Sequence, residues 1–265
     1  MMITLPISAC HVFGWTVSII AAACSCMLAL LIARKYYRVK RTAAMRWLTL
    51  IAFALTLAVG SDPIVFALTR SLPSQADADR IIQIQSSLAF ALTAVANIFL
   101  VLLVKDIFYE NKYKLWMLVL VFMEIAVAIL EPALTIAGSE PIEMLLVHMI
   151  ASFVLYFMLA VRSFKLRARL LQSETRDVVG VNGFTFIGLS GILLIVTVIS
   201  FIMQEIAFAF EDVFRQLGLI DSLGCSLFVV LGFAMAVISV VVLYIGYYVP
   251  AWVRKRWESG SLTGP

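Results

Sequence analysis

Glu124 and Glu131 stand seven residues apart inside one apolar run, Leu115 to Ala137, and Pro132 directly follows the second of them. Seven residues make nearly two turns of an α-helix, so the two carboxylates share one stripe of it. A carboxylate in hydrocarbon is costly, and acids in such places face a bundle interior and often mark ligand, ion or proton sites. Glu131 is the first candidate functional residue of the chain and Glu124 the second. Counting about 1.5 Å per residue from the segment ends puts further polar residues in the same layer. They are Asp62 before Pro63, Gln83 and Gln85 beside Ser86 and Ser87, His148, and the pair Gln204-Glu205. His11 and Asp221 open the first and last apolar segments on that side, whereas the opposite halves offer little beyond Asn97 and scattered Ser and Thr. Polar groups gathered in one layer predict a polar pocket opening to one face of the membrane.

Each of these residues also has a structural role open to it. Asp62 and Glu131 precede prolines and can bond backbone groups that a proline frees. Gln204 and Glu205 can reach a headgroup layer, Asp221 suits a helix N-cap, and His148 can be a bonded structural histidine. Imidazole with carboxylate is also a zinc-ligand set, which makes His148 and Glu131 the alternative metal pair. With only two histidines and no HxxxH or HExxH run, no metal site is the first expectation.

The elements that must hold these side chains are set by the solvent. Hydrophobic residues make up 63% of the 265 and charged residues 14%, with a mean hydropathy of +1.04. That is far more apolar than a soluble domain, so a bilayer must solvate most of the surface. Seven segments are long enough to span about 30 Å as helices: residues 12–33, 47–68, 81–104, 115–137, 144–161, 183–208 and 223–248. The reading is all-α, one seven-helix bundle over 1–257 and a short tail, 258–265, with no effector domain expected after it. No Lys or Arg precedes the first apolar run, so a retained helix is expected there and not a cleaved signal peptide. Of the 20 Lys and Arg, 17 fall in the linkers after segments one, three and five and in the stretch after segment seven. Positive charge marks the cytosolic side, so the N-terminus is expected outside and the C-terminus in the cytosol of a multi-pass cell-membrane protein.

The formal charge of +4 follows from this bias, so the partner implied is the lipid bilayer and not nucleic acid. One basic stretch carries more. Arg162, Lys165, Arg167 and Arg169 alternate with Phe164, Leu166, Leu170 and Leu171, predicting a cytosolic extension of the fifth helix. It fits either a lipid-surface helix or a docking surface for a cytosolic partner. Cys24 and Cys26 point to different sides of one helix. Cys10 and Cys225 could bridge only if the first and last helices are neighbours, and the plainer reading of all four cysteines is small apolar residues.

Seven helices with an outside N-terminus, short loops and a long basic fifth helix resemble seven-transmembrane receptor and sensor modules. The resemblance lies in topology over nearly the whole chain. Val104-Lys105-Asp106-Ile107 stands where receptors carry an Asp/Glu-Arg-Tyr triplet, and Tyr244 to Pro250 lacks an Asn-Pro-x-x-Tyr run. The membrane sensor part of some microbial kinases is similar too, without the kinase here. The resemblance implies an extracellular-side pocket that signals through cytosolic loops to a separate partner. No retinal or other cofactor is expected, because a Schiff base needs a lysine and none lies between Leu223 and Tyr248. The ceramidase and adiponectin-receptor group of seven-helix hydrolases depends on several histidines, which this chain lacks. The alternatives are a non-catalytic subunit of a membrane complex, a metal-assisted membrane hydrolase, and a small-solute or proton transporter. A non-enzyme is favoured.

Overall fold

In hydrocarbon a backbone N–H or C=O has no water to bond, and a helix satisfies both within its own segment. The computed structural model follows that rule. It describes residues 9–38, 42–69, 74–110, 112–139, 142–173, 177–217 and 227–261, giving only the backbone at some helical positions, among them Cys10, His11, Asp62 and Glu205. These residues form α1 (Ala9–Arg38), α2 (Ala43–Thr69), α3 (Gln75–Phe108), α4 (Leu115–Ile136), α5 (Ile142–Gln172), α6 (Val178–Ala209), α7 (Glu211–Gln216), α8 (Leu227–Tyr248) and α9 (Ala251–Ser261). Among the described residues there is no strand. Seven helices, α1 to α6 and α8, are long and apolar enough to cross a membrane.

The helices run past the segments that hydropathy marks, because polar caps and charged turns extend them. Ser74 accepts the Asp77 N–H at 3.4 Å and starts α3, so Asp77 lies in a helix and not in a linker. Asp177 accepts the Gly180 N–H at 3.0 Å and starts α6 ahead of residue 183. α5 continues through the basic stretch to Gln172 as one helix of 31 residues, about 46 Å at ~1.5 Å per residue. After α4, Gly138 takes a left-handed φ of +84°. There its N–H bonds Thr135 O and the Ser139 N–H bonds Leu134 O, both at 3.0 Å. Only Gly meets that conformation without a Cβ penalty.

The chain after the seventh span forms a further helix. Val249 at φ 43° and Pro250 end α8, and α9 turns away, with Val253 buried and Trp257 5.4 Å from Phe186 of α6. The proposed Asp221 cap and the Cys10–Cys225 bridge lie outside the described residues and side chains.

The spanning helices pack in chain order round a ring that α8 closes against α1. α4 packs on α3 and α5, which also touch each other. Its buried face is the stripe Met117, Leu120, Glu124, Val127 and Glu131. Phe122 and Ile129, 71% and 63% exposed, cover the opposite side, as a lipid-facing surface requires. α6 and α8 meet backbone to backbone. A Cβ on Gly183 would lie 2.9 Å from Gly246 O, and one on Gly246 would lie 2.8 Å from Gly183 O. Membrane helices approach closely through such small residues.

At the α3–α4, α1–α2 and α5–α6 end, cations lie over aromatic rings. Arg46 is 4.2 Å above Trp47, Lys105 4.5 Å from Tyr113, Arg162 5.2 Å from Tyr109 and Lys35 5.1 Å from Tyr248. Interfacial aromatics and snorkelling cations make this pattern at a membrane boundary.

Candidate functional site

The stripe on α4 carries its two carboxylates into the α3–α5 junction. Glu124 is 1% exposed and Glu131 6%. Oε2 of Glu131 accepts the Ser87 hydroxyl of α3 at 2.9 Å. Glu124 meets more: Oε1 accepts from Asn97 Nδ2 at 2.8 Å, and Oε2 lies 2.7 Å from His148 Nδ1. The second Asn97 Nδ2 hydrogen goes to Ser152 Oγ at 2.8 Å, and Asn97 Oδ1 accepts the Tyr156 hydroxyl at 2.7 Å. On the far side of the imidazole, His148 Nε2 is 3.2 Å from Thr93 Oγ1. That threonine donates its own proton to Phe90 O at 2.7 Å, so it can only accept from Nε2–H. The donor count then leaves one proton between Glu124 Oε2 and His148 Nδ1, and with it every bond in the cluster is made. A fully satisfied buried network fixes helix rotation as well as position. Here it ties α3, α4 and α5 together.

His148 also forms part of a wall. A cavity of about 300 Å³ lies between α2, α3, α5, α6 and α8. Its size is at the small end of ligand pockets. Gln85, Ser86, Phe90 and Thr93 line it from α3, His148, Ser152 and Tyr156 from α5, Thr197, Phe201 and Gln204 from α6, and Phe233 from α8. Leu55, Val59, Leu194 and Val198 add apolar surface, and no Asp, Glu, Lys or Arg lines the cavity among the described residues. The lining comes from the halves of these helices nearest the α2–α3, α4–α5 and α6–α7 connections.

The residues expected from sequence separate into groups. His148, Gln85 and Gln204 line the cavity. Glu124 and Glu131 lie in the α4 seam and are not among its lining residues. Glu124 is one bond behind His148. Gln83 is exposed on α3. The side chains of Asp62 and Glu205 are outside the described set. For the alternative metal pair, the carboxylate bonded to His148 is Glu124 and not Glu131. Among the described residues no three His, Cys, Asp or Glu side chains come together. Arg162 stacks on Tyr109, Lys165 and Arg169 are exposed, and Phe164 packs against Gly188 of α6, so the basic end of α5 is partly held by the bundle.

Sequence reasoning gave no role to Tyr156, Ser152 or Thr93, and set Asn97 aside as an inner-half residue. A signal was present. Asn97, Ser152 and Tyr156 are polar or amphipathic residues inside otherwise apolar runs, and Ser152 and Tyr156 are four apart on one helix face.

No protein-family model matches the chain, and comparisons with curated proteins and with solved structures find no match. The class is defined by the fold itself: an all-α, multi-pass membrane protein with seven candidate spanning helices in contact with lipid.

Proposed function

We propose that the protein is a seven-transmembrane receptor or sensor of the cell membrane, with its N-terminus outside and its C-terminus in the cytosol. Its cavity takes a small ligand from the extracytoplasmic half, and its basic inner face passes the state of the cavity to a separate cytosolic partner. The observation that carries this reading is the double attachment of His148. One side of the residue lines the cavity, and Nδ1 holds Glu124 of α4 at 2.7 Å. A ligand that moves the imidazole must break or remake a bond joining three helices. α5 then runs without interruption from His148 to Arg169 and Gln172, so a small rotation at the cavity appears at the inner end. A ligand shifts such a balance only by binding one arrangement better than the other.

The coupling can be tested without a known ligand, by filling the cavity from its own wall. In a background with the four cysteines changed to Ser, a spin or fluorescent label is placed at Gln172→Cys and Ala236→Phe is added on α8. The expected outcome is a changed label spectrum, which disappears when His148→Leu cuts the link to Glu124. A label indifferent to cavity filling would remove the receptor reading.

A further inference from the structure

Three hydroxyl donors on the wall of the cavity are already in use. Thr93 gives its hydroxyl proton to Phe90 O, Thr197 gives its own to Leu193 O at 3.0 Å, and the Tyr156 hydroxyl is held by Asn97. His148 Nε2 points its N–H at Thr93 Oγ1. An anion entering this space would find no cation and few donors left to receive it. A cation would meet no carboxylate, since none lines the cavity among the described residues. An ion bound without a partner in such surroundings pays the whole cost of its lost hydration. What remains is mainly apolar and aromatic surface, Phe90, Phe201 and Phe233 foremost, with a few neutral polar groups from Gln85, Ser86 and Gln204. Among these, Oε1 of Gln204 is a buried acceptor with no hydrogen-bond partner. A buried carbonyl without a donor is costly, and a donor supplied to it binds with that cost recovered.

We infer that the cavity selects an uncharged, mainly apolar small molecule that donates one hydrogen bond, from an N–H or O–H group, to Oε1 of Gln204. The inference rests on the reading of the cavity as a ligand site and adds the class of ligand. Phe201 stands edge-on to Phe233, with ring centroids 5.7 Å apart and planes at 81°. This arrangement brings a ring edge and a ring face to neighbouring parts of the wall, which suits a flat aromatic occupant.

Indole and indene separate the donor from the shape, because the two molecules are nearly isosteric and only indole carries an N–H. Binding of each to the purified full chain in nanodiscs is measured by the thermal unfolding shift at matched free concentration. Indole-3-carboxylate and tryptamine serve as the anionic and cationic counterparts. Indole is expected to bind about tenfold more tightly than indene. Gln204→Leu should bring the two to equal affinity, and Gln204→Met serves if the leucine variant does not fold. Both charged probes should bind more weakly than indole. Equal binding of indole and indene to the wild-type chain would overturn the donor rule while leaving the cavity as a ligand site. Binding of either charged probe as tightly as indole would overturn the requirement for neutrality, and failure of all four to bind would overturn the inference entirely. The wall-filling experiment above uses no ligand, so its outcome reports on the receptor reading separately.

Discussion

Glu124 is held by two donors of different kinds, an amide N–H from Asn97 and a ring nitrogen of His148 that shares a proton with it. Glutamine has nearly the same shape, and can present its C=O to Asn97 and its N–H to Nδ1 of a neutral His148. Glu124→Gln should therefore cost under about 1 kcal/mol. Glu124→Leu strands both partners, and at about 0.6 to 1.7 kcal/mol for each interhelical bond in a membrane it should cost about 2 kcal/mol. Reversible unfolding in mixed micelles measures both. If glutamine proved as damaging as leucine, the site would depend on a carboxylate's charge and not on its pattern of bonds. The sequence made these acids legible as a pair because one stripe of one helix is a local property. It could not show which wall they reach. That depends on how α4 and α5 are rotated against α3, and those rotations place His148, and neither carboxylate, at the cavity. The same limit concealed Asn97, whose depth was readable but whose partners were on two other helices.

At the scale of helices, the seams explain which parts can move. α6 and α8 touch through Gly183 and Gly246 near the α5–α6 and α8–α9 connections, while the cavity separates them from α2 and α3 toward the opposite end. A pair packed together along its length and spaced from α2 and α3 at one end is suited to moving there as a unit. Gly246→Ala would push a Cβ to within 2.8 Å of Gly183 O and Ile187 N, both backbone atoms that yield only if a helix shifts. Overpacking of this kind costs about 1 to 3 kcal/mol. Gly60 of α2 is the control, because a Cβ there meets nothing within 4 Å. Gly60→Ala should be neutral or stabilise by about 1 kcal/mol through helix propensity. Thermal unfolding of the two variants should move in opposite directions, or at least differ by that sum. If both left the unfolding temperature unchanged, the α6–α8 contact would be too loose to hold the two helices as one unit. Hydropathy located these helices well, since length and composition decide a span. It was silent about the seam, because a glycine in an apolar run looks the same on a lipid face and at a backbone crossing.

For the molecule as a whole, the bundle could be read from the chain but its two ends are alike in helix content, and charge is what separates them. The α1–α2, α3–α4 and α5–α6 connections with the helix ends that flank them, together with α9, hold 17 of the 20 Lys and Arg. At that same end Trp47 donates its Nε1–H to Asp106 at 2.8 Å, and four cations lie over rings. α9 adds Arg254, Lys255 and Arg256 beside Trp252, 69% exposed, an arrangement of cation and indole that suits a headgroup layer. The proposed orientation puts the positive end in the cytosol and the cavity, lying toward the other end, outward. Single cysteines test this directly in sealed cells with a thiol reagent that cannot cross the membrane, in the background without native cysteines. Gln216→Cys on α7 should be labelled and Ser173→Cys after α5 should be protected until the membrane is permeabilised. The reverse pattern would leave the helices and the Glu124–His148 network as they are. It would place the cavity on the cytosolic side, where its occupant would be a metabolite of the cell and not a signal from outside.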